Sequence, residues 1–183
     1  VSILYQEIFS SGADIVEGGM CRVLDGWGLI KKKRICEHLE IEQPVLFRDY
    51  FISFFGINKL GVNLCGKLYK KTLFDKAKLK PSGMKMGEDL LVNMYLFPFV
   101  NKYVVTNHCV YYYRYGGLTS QFNSTLYSDL KKLYYIKMNM LVEYDYQKGV
   151  RSTKIEMCNV LCSHLIQMYR FNKSEQEIYL FIY

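Results

Sequence analysis

The chain has 183 residues, half of them hydrophobic and 22% charged, with a formal net charge of +7. That length suits one domain with a core, and that composition sets intrinsic disorder aside. The longest apolar stretch, residues 90–100, is interrupted by Asn93 and Pro98 and falls well short of the roughly 20 residues that a transmembrane helix requires.

Residues 1–9 read as the end of a helix, with no initiator methionine or charged-then-apolar leader, so a truncated amino terminus is expected. After Ser11-Gly12, a helix-ending pair, residues 13–23 are rich in small and β-favouring side chains and predict a strand running into an Asp25-Gly26 turn. A weaker strand is expected over 29–36. Pro44 suits a first helical turn, and Val45, Leu46, Tyr50 and Phe54 follow at helical spacing until Gly56, which predicts a helix. Residues 63–69 read as a short strand or loop, 70–76 as a brief helical turn, and Pro81-Ser82-Gly83 as a loop. Next comes Gly87-Glu88-Asp89, followed by Leu90, Leu91, Met94, Tyr95 and Phe97 on a helical face, so both acids fall in a first turn. Residues 103–106 and 109–113 are β-branched and aromatic, separated by Asn107-His108 and ended by Gly116-Gly117, and predict a pair of strands. Beyond Ser124 the pattern turns helical. Leu126, Leu130, Leu133, Tyr134, Leu141 and Tyr144 line one helix, Ile155, Leu161, Leu165, Met168 and Tyr169 another, with Gly149 between them. Residues 175–183 close on an apolar stretch without a capping or breaking residue, the expected mark of a helix cut short. The chain thus reads as an α/β core fragment over residues 1–123, followed by a helical tail over 124–183.

Six cysteines, Cys21, Cys36, Cys65, Cys109, Cys158 and Cys162, include no Cys-x-x-Cys pair, and without a secretory leader reduced, mostly buried thiols are expected. Cys158 and Cys162 stand one helical turn apart near His164, a spacing that raises metal binding, yet they fall on or near the apolar stripe and read as core. A basic run at 31–34 and seven lysines between Lys67 and Lys85 suit a polyanion, an anionic membrane surface or a phosphate-bearing substrate, or simply a solvated basic face. The 17 tyrosines are spread along the chain, so their fitness for stacking on sugars or bases singles out no segment.

Gly87-Glu88-Asp89 carries the most chemistry. Two acids at a helix amino terminus sit where unpaired amides and the helix dipole favour negative charge, so both are expected to be ionised at neutral pH. Helix capping is the bland reading. The mechanistic one is general base catalysis: a carboxylate on a rigid helix end, after a glycine that leaves room for an acceptor, takes the proton of a hydroxyl as that oxygen attacks an electrophilic carbon. Glu88 would then orient the loop or bind acceptor hydroxyls.

In chain order, Asn63-Leu64-Cys65-Gly66-Lys67-Leu68-Tyr69-Lys70, Phe74, Gly87-Glu88-Asp89-Leu90, Tyr111-Tyr112-Tyr113-Arg114 and Leu118-Thr119-Ser120 resemble the family 2 glycosyltransferases of bacterial surface-polysaccharide synthesis. Ala13-Asp14-Ile15-Val16 resembles the strand that follows the metal-binding motif in that family, and the similarity runs from about residue 1 to 123. The resemblance implies part of a GT-A type α/β fold, the nucleotide-diphospho-sugar transferase fold, with a mixed sheet and flanking helices. Residues 1–123 would be the carboxy-terminal half of the catalytic domain. It implies a nucleoside-diphosphate sugar donor, a saccharide or lipid-linked saccharide acceptor, direct displacement with inversion, and a cytoplasmic location with peripheral contact at the inner face of the membrane. On the same footing Asp89, of the Glu88-Asp89 pair, would be the base, Lys67 would lie near the cleft, and Tyr113 and Arg114 would belong to the region closing over phosphates. The plainer roles are a structural or surface lysine for Lys67 and an ion-pair partner within the fold for Arg114.

One departure is serious. No Asp-x-Asp occurs anywhere in the sequence, so the divalent cation (Mg or Mn) expected for a full-length parent would draw its ligands from outside this chain, since such a hard cation needs carboxylate oxygens. This piece alone is therefore expected to lack transferase activity. The competing class is a non-catalytic basic module for an anionic membrane surface or nucleic acid. Nucleic acid is not expected as a partner, because no recognised motif is present and the basic residues do not interleave with a stacking platform. A third reading is a structural role in which Asp89 only caps its helix.

Overall fold

The computed structural model describes residues 1–23, 30–34, 37–114, 123–171, 173–174 and 176–178, with the backbone alone for 30–34. Its elements, in order, are α1 (Ser2–Ser11), β1 (Ile15–Val23), β2 (Ile30–Arg34), β3 (Leu39–Glu42), β4 (Lys67–Tyr69), α2 (Lys71–Ala77), α3 (Glu88–Leu96), β5 (Lys102–Arg114), α4 (Leu126–Glu143) and α5 (Lys148–Arg170). The turns expected at Asp25-Gly26 and Gly116-Gly117, the Leu118-Thr119-Ser120 segment, Cys36 and most of 175–183 lie outside the described residues.

The sheet is mixed, in the order β2-β1-β5-β3, with β4 beside the first half of β1 on the edge that β2 takes further along. β1 and β5 run parallel and all other pairs are antiparallel. A parallel pair needs a crossover, and here the chain between the two strands supplies β2, β3, β4, α2 and α3. Central strands are covered on both faces. Val16 and Val104 pack with Leu4 of α1 on one side, while Ile15, Tyr103 and Val105 join the main core on the other. The α/β architecture with flanking helices follows from this two-sided burial.

Three expectations change. The strand pair over 103–113 is one strand, β5, and Asn107-His108 is a register irregularity rather than a turn: Glu17 faces Val105, Gly19 faces Cys109 and Met20 faces Tyr111. β1 pairs with β5 both before and after this point and holds it extended, whereas β3 pairs only with Lys102–Val105, and Gly18 leaves no room for a side chain against Val110. The helix expected over 45–56 is a wide π turn (Leu46–Tyr50) passing into a 3-10 turn (Phe51–Phe54), after a cis Gln43–Pro44 bond. Tyr146 donates its hydroxyl to the Arg48 carbonyl at 2.9 Å, taking an oxygen that a regular helix would use itself. Packing of Phe47, Phe51, Phe54 and Phe97 around Tyr144 and Tyr146 decides that backbone. Third, the thiols are not all reduced and buried. Cys21 and Cys109, on neighbouring parallel strands with Cα atoms 6.4 Å apart, form a disulfide, and Cys158 and Cys162 are exposed. On α5 the core-facing stripe is Thr153, His164 and Met168 instead.

The helical hairpin is part of the main core. Leu133, Met140 and Leu141 of α4, with Tyr146 of the connection, are buried in the same cluster as Phe51 and Phe97. Gly149, at the start of α5, leaves no room for a side chain against Leu141 and Phe55. At the other end α4 grips the loop before α3: Asp129 Oδ2 accepts the backbone N–H groups of Lys85 (3.0 Å) and Met86 (3.1 Å).

Candidate active site

Gly87 takes a left-handed conformation, φ 84° and ψ 4°, that turns the chain into α3. Glycine adopts it without strain, and here a Cβ would also lie 2.9 Å from Leu133 Cδ2. The turn places Glu88 on the surface and leaves Asp89 half-buried in the first turn. Asp89 does not spend its carboxylate on its own helix. Oδ2 accepts the N–H of Leu64, 3.2 Å away and 25 residues earlier, so the acid is tied to the facing loop. Among the described residues no donor reaches Oδ1. Capping alone does not account for that geometry, since a cap accepts from its own first turn.

The facing loop, residues 61–66, is held from beneath by a polar network. The amide of Gly61 donates to both oxygens of Glu17 at 3.1 Å, and Tyr103 donates its hydroxyl to Glu17 Oε2 at 2.6 Å. Lys67 donates its ammonium to the carbonyls of Gly61 (2.6 Å) and Asn63 (2.5 Å), with Glu17 Oε2 4.0 Å off. Asn93, one turn after Asp89 on α3, donates Nδ2 to the carbonyls of Val62, Asn63 and Asp89, and its Oδ1 accepts the Tyr69 hydroxyl at 2.9 Å. Loop and helix end thereby form one unit, because each buried polar group finds a partner on the other segment.

Beside this loop runs β5: a Cβ on Gly66 would lie 3.4 Å from Tyr111 Cβ. A hydrogen bond with Cys65 raises the Tyr111 phenol above its ordinary value, followed by the charge of Cys65, burial and the charges of Tyr113 and Asp89. Cys65, Tyr113 and Asp89 are therefore each within electrostatic reach of Tyr111. Below them Tyr69 is raised well above the usual tyrosine range, chiefly by burial, against the hydrogen bond with Asn93 and with help from the nearby charges of Glu17 and Asp89. Both phenols are neutral donors in the physiological range.

Of the residues singled out in the sequence, Asp89 and Tyr113 both lie within electrostatic reach of Tyr111, and Glu88 is exposed. Lys67 sits below: its side chain is 1% exposed and spent on the loop carbonyls, so it positions the loop that Asp89 touches. Arg114, exposed, ends β5 opposite Val23. Glu17, Tyr69 and Asn93 escaped the sequence reading. Asn93 left a trace, since a lone amide on the apolar face of a helix demands partners. Among the described residues no group of three or more His, Cys, Asp or Glu side chains could hold a metal ion. No helix among them is long and apolar enough to cross a membrane. No protein-family model matches the chain, and no curated protein matches it in sequence.

Proposed function

We propose that this chain is the carboxy-terminal part of the catalytic domain of a GT-A type, inverting glycosyltransferase, with Asp89 as the general base. The observation that carries the reading is the half-buried Asp89 carboxylate at the head of α3, one oxygen fixed by the Leu64 amide of the facing loop and the other without a donor among the described residues. A carboxylate so fixed can accept the proton of an acceptor hydroxyl while that oxygen bonds to the anomeric carbon and the nucleoside diphosphate leaves from the opposite face with the bonding pair. Tyr111 and Tyr113 offer phenol donors and ring faces for a sugar, and Glu88 on the rim would contact acceptor hydroxyls. A divalent cation would neutralise the leaving diphosphate, and its ligands would come from outside the described residues.

Replacing Asp89 by Asn in the protein that carries this chain keeps an acceptor for the Leu64 amide and removes the base. Transfer from nucleoside-diphosphate sugars should fall about 10²- to 10⁴-fold with unchanged thermal stability. Turnover at the wild-type rate would remove the assignment.

A further inference from the structure

The outer face of α5 carries exposed apolar side chains for which the proposed transfer has no use. On this 23-residue helix Ile155 is 50%, Ile166 52% and Tyr169 79% exposed, and Cys158 and Cys162 are exposed between them. At 100° per residue these five side chains fall within about 80° of arc, a continuous apolar stripe about 20 Å long. The charges on this helix are mostly positive. Lys148, Arg151, Lys154 and Arg170 stand against the single carboxylate of Glu156, which is bound to Lys137 on the inner side. A groove of about 560 Å³ opens beside the stripe, and its lining includes Ile57, Leu130, Ile155 and Val160 with Arg151 and Glu156. Ile155 thus belongs to both stripe and groove, and Arg151, one of the flanking cations, lines the groove as well.

We infer that this face docks on the surface of an anionic lipid bilayer, with Ile155, Ile166 and Tyr169 entering the headgroup boundary and Arg151, Lys154 and Arg170 meeting lipid phosphates. A narrow apolar stripe with cations at its borders is the pattern of a helix lying in the membrane interface. Charge decides against the other candidate, a second copy of the chain, because pairing two such stripes would set cation against cation. The docking is independent of the reading of Asp89. It would nonetheless hold the candidate site close to the lipid surface, since Leu130 lines the groove and its Cδ2 lies 3.6 Å from where a Cβ of Gly87 would be.

Cosedimentation of the whole chain with phosphatidylcholine vesicles, with and without phosphatidylglycerol, at low and high salt tests the inference. Binding should require phosphatidylglycerol, weaken with salt, and fall about tenfold or more both in Ile155→Ser/Ile166→Ser/Tyr169→Ser and in Arg151→Glu/Lys154→Glu. Val142→Ser, at an exposed position on α4, should bind as wild type. All of these side chains are on the surface, so circular dichroism melts should not move. No binding, equal binding to neutral vesicles, or binding that survives both multiple variants overturns the proposal. So does a dimer in sedimentation velocity that the stripe substitutions abolish, which would make the face a self-association surface.

Discussion

Asp14 shows how much one carboxylate can join. Its Oδ1 accepts the Lys70 ammonium at 3.0 Å and its Oδ2 the Asn101 amide at 2.7 Å, so the start of β1 is fastened to the residue after β4 and to the approach to β5. Burial alone would raise this carboxyl, but the Asn101 amide, Lys70 and the Lys102 amide outweigh it and hold it below its ordinary value of 3.8. A folded-state value below the unfolded one means that folding favours the ionised form. The stabilisation is present above the ordinary carboxylate range and is lost as pH falls through the lower, folded-state value. Asp14→Asn should therefore lower the melting temperature at neutral pH and narrow its gap from wild type as pH drops below about 4. Melting curves from pH 7 into the acid range decide it, and a constant gap would mean that Asp14 stabilises through shape rather than charge.

The elements differ in how legible they were. α3 announced itself because Gly87 stops one run and two acids open the next, and β1 because small and branched residues cluster there. β3 was hidden: Leu39–Glu42 reads Leu-Glu-Ile-Glu, poor in strand formers, and is a strand because Ile41 enters the core while Glu40 and Glu42 pair with Lys102 at 2.7 and 3.3 Å. Asn107-His108 misled in the opposite sense, since a polar pair that usually turns a chain is tolerated as an irregularity in a strand that β1 holds before and after it. The candidate site was half visible for a similar reason. Asp89 sits in a local motif, whereas Glu17 and Tyr103 meet from positions 86 residues apart, a distance that periodicity does not reach. Between α4 and α5 the joining pair is Lys137, 2% exposed, with Glu156, 35% exposed, at 2.5 Å. Burial pulls the Lys137 ammonium below its ordinary value, and Glu156 works against that pull. Glu156→Gln strands the buried ammonium and should cost about 2 kcal/mol, less than the roughly 3–5 of a fully buried pair because Glu156 is partly solvated. Adding Lys137→Met should recover most of the loss. Urea midpoints measure both, and an unchanged midpoint in Glu156→Gln would show the pair to be idle.

At the scale of the molecule, a change of sequence pattern near residue 124 did not mark a change of core. The α/β part contributes Phe51, Phe97 and Leu91, the hairpin contributes Leu133, Met140, Leu141 and Tyr146, and all are buried in one cluster. Asp129 further holds the amides of Lys85 and Met86, and Leu133 fills the space that glycine leaves at position 87. The loop that delivers Glu88 and Asp89 is thus shaped as much by α4 as by α3. Removing residues 124–183 would expose the Phe51 and Phe97 side of the core and release two amides at the site. Each large core side chain lost typically costs about 2–5 kcal/mol, so four of them together match the roughly 5–15 kcal/mol that holds a domain together. Residues 1–123 made alone should therefore lack a cooperative melt and be cut rapidly by protease, while the whole chain melts in one transition. A sharp melt of the shorter chain, with wild-type protease resistance, would show that the sheet and its crossover helices fold without the hairpin and that α4 is an addition to the site rather than a wall of it.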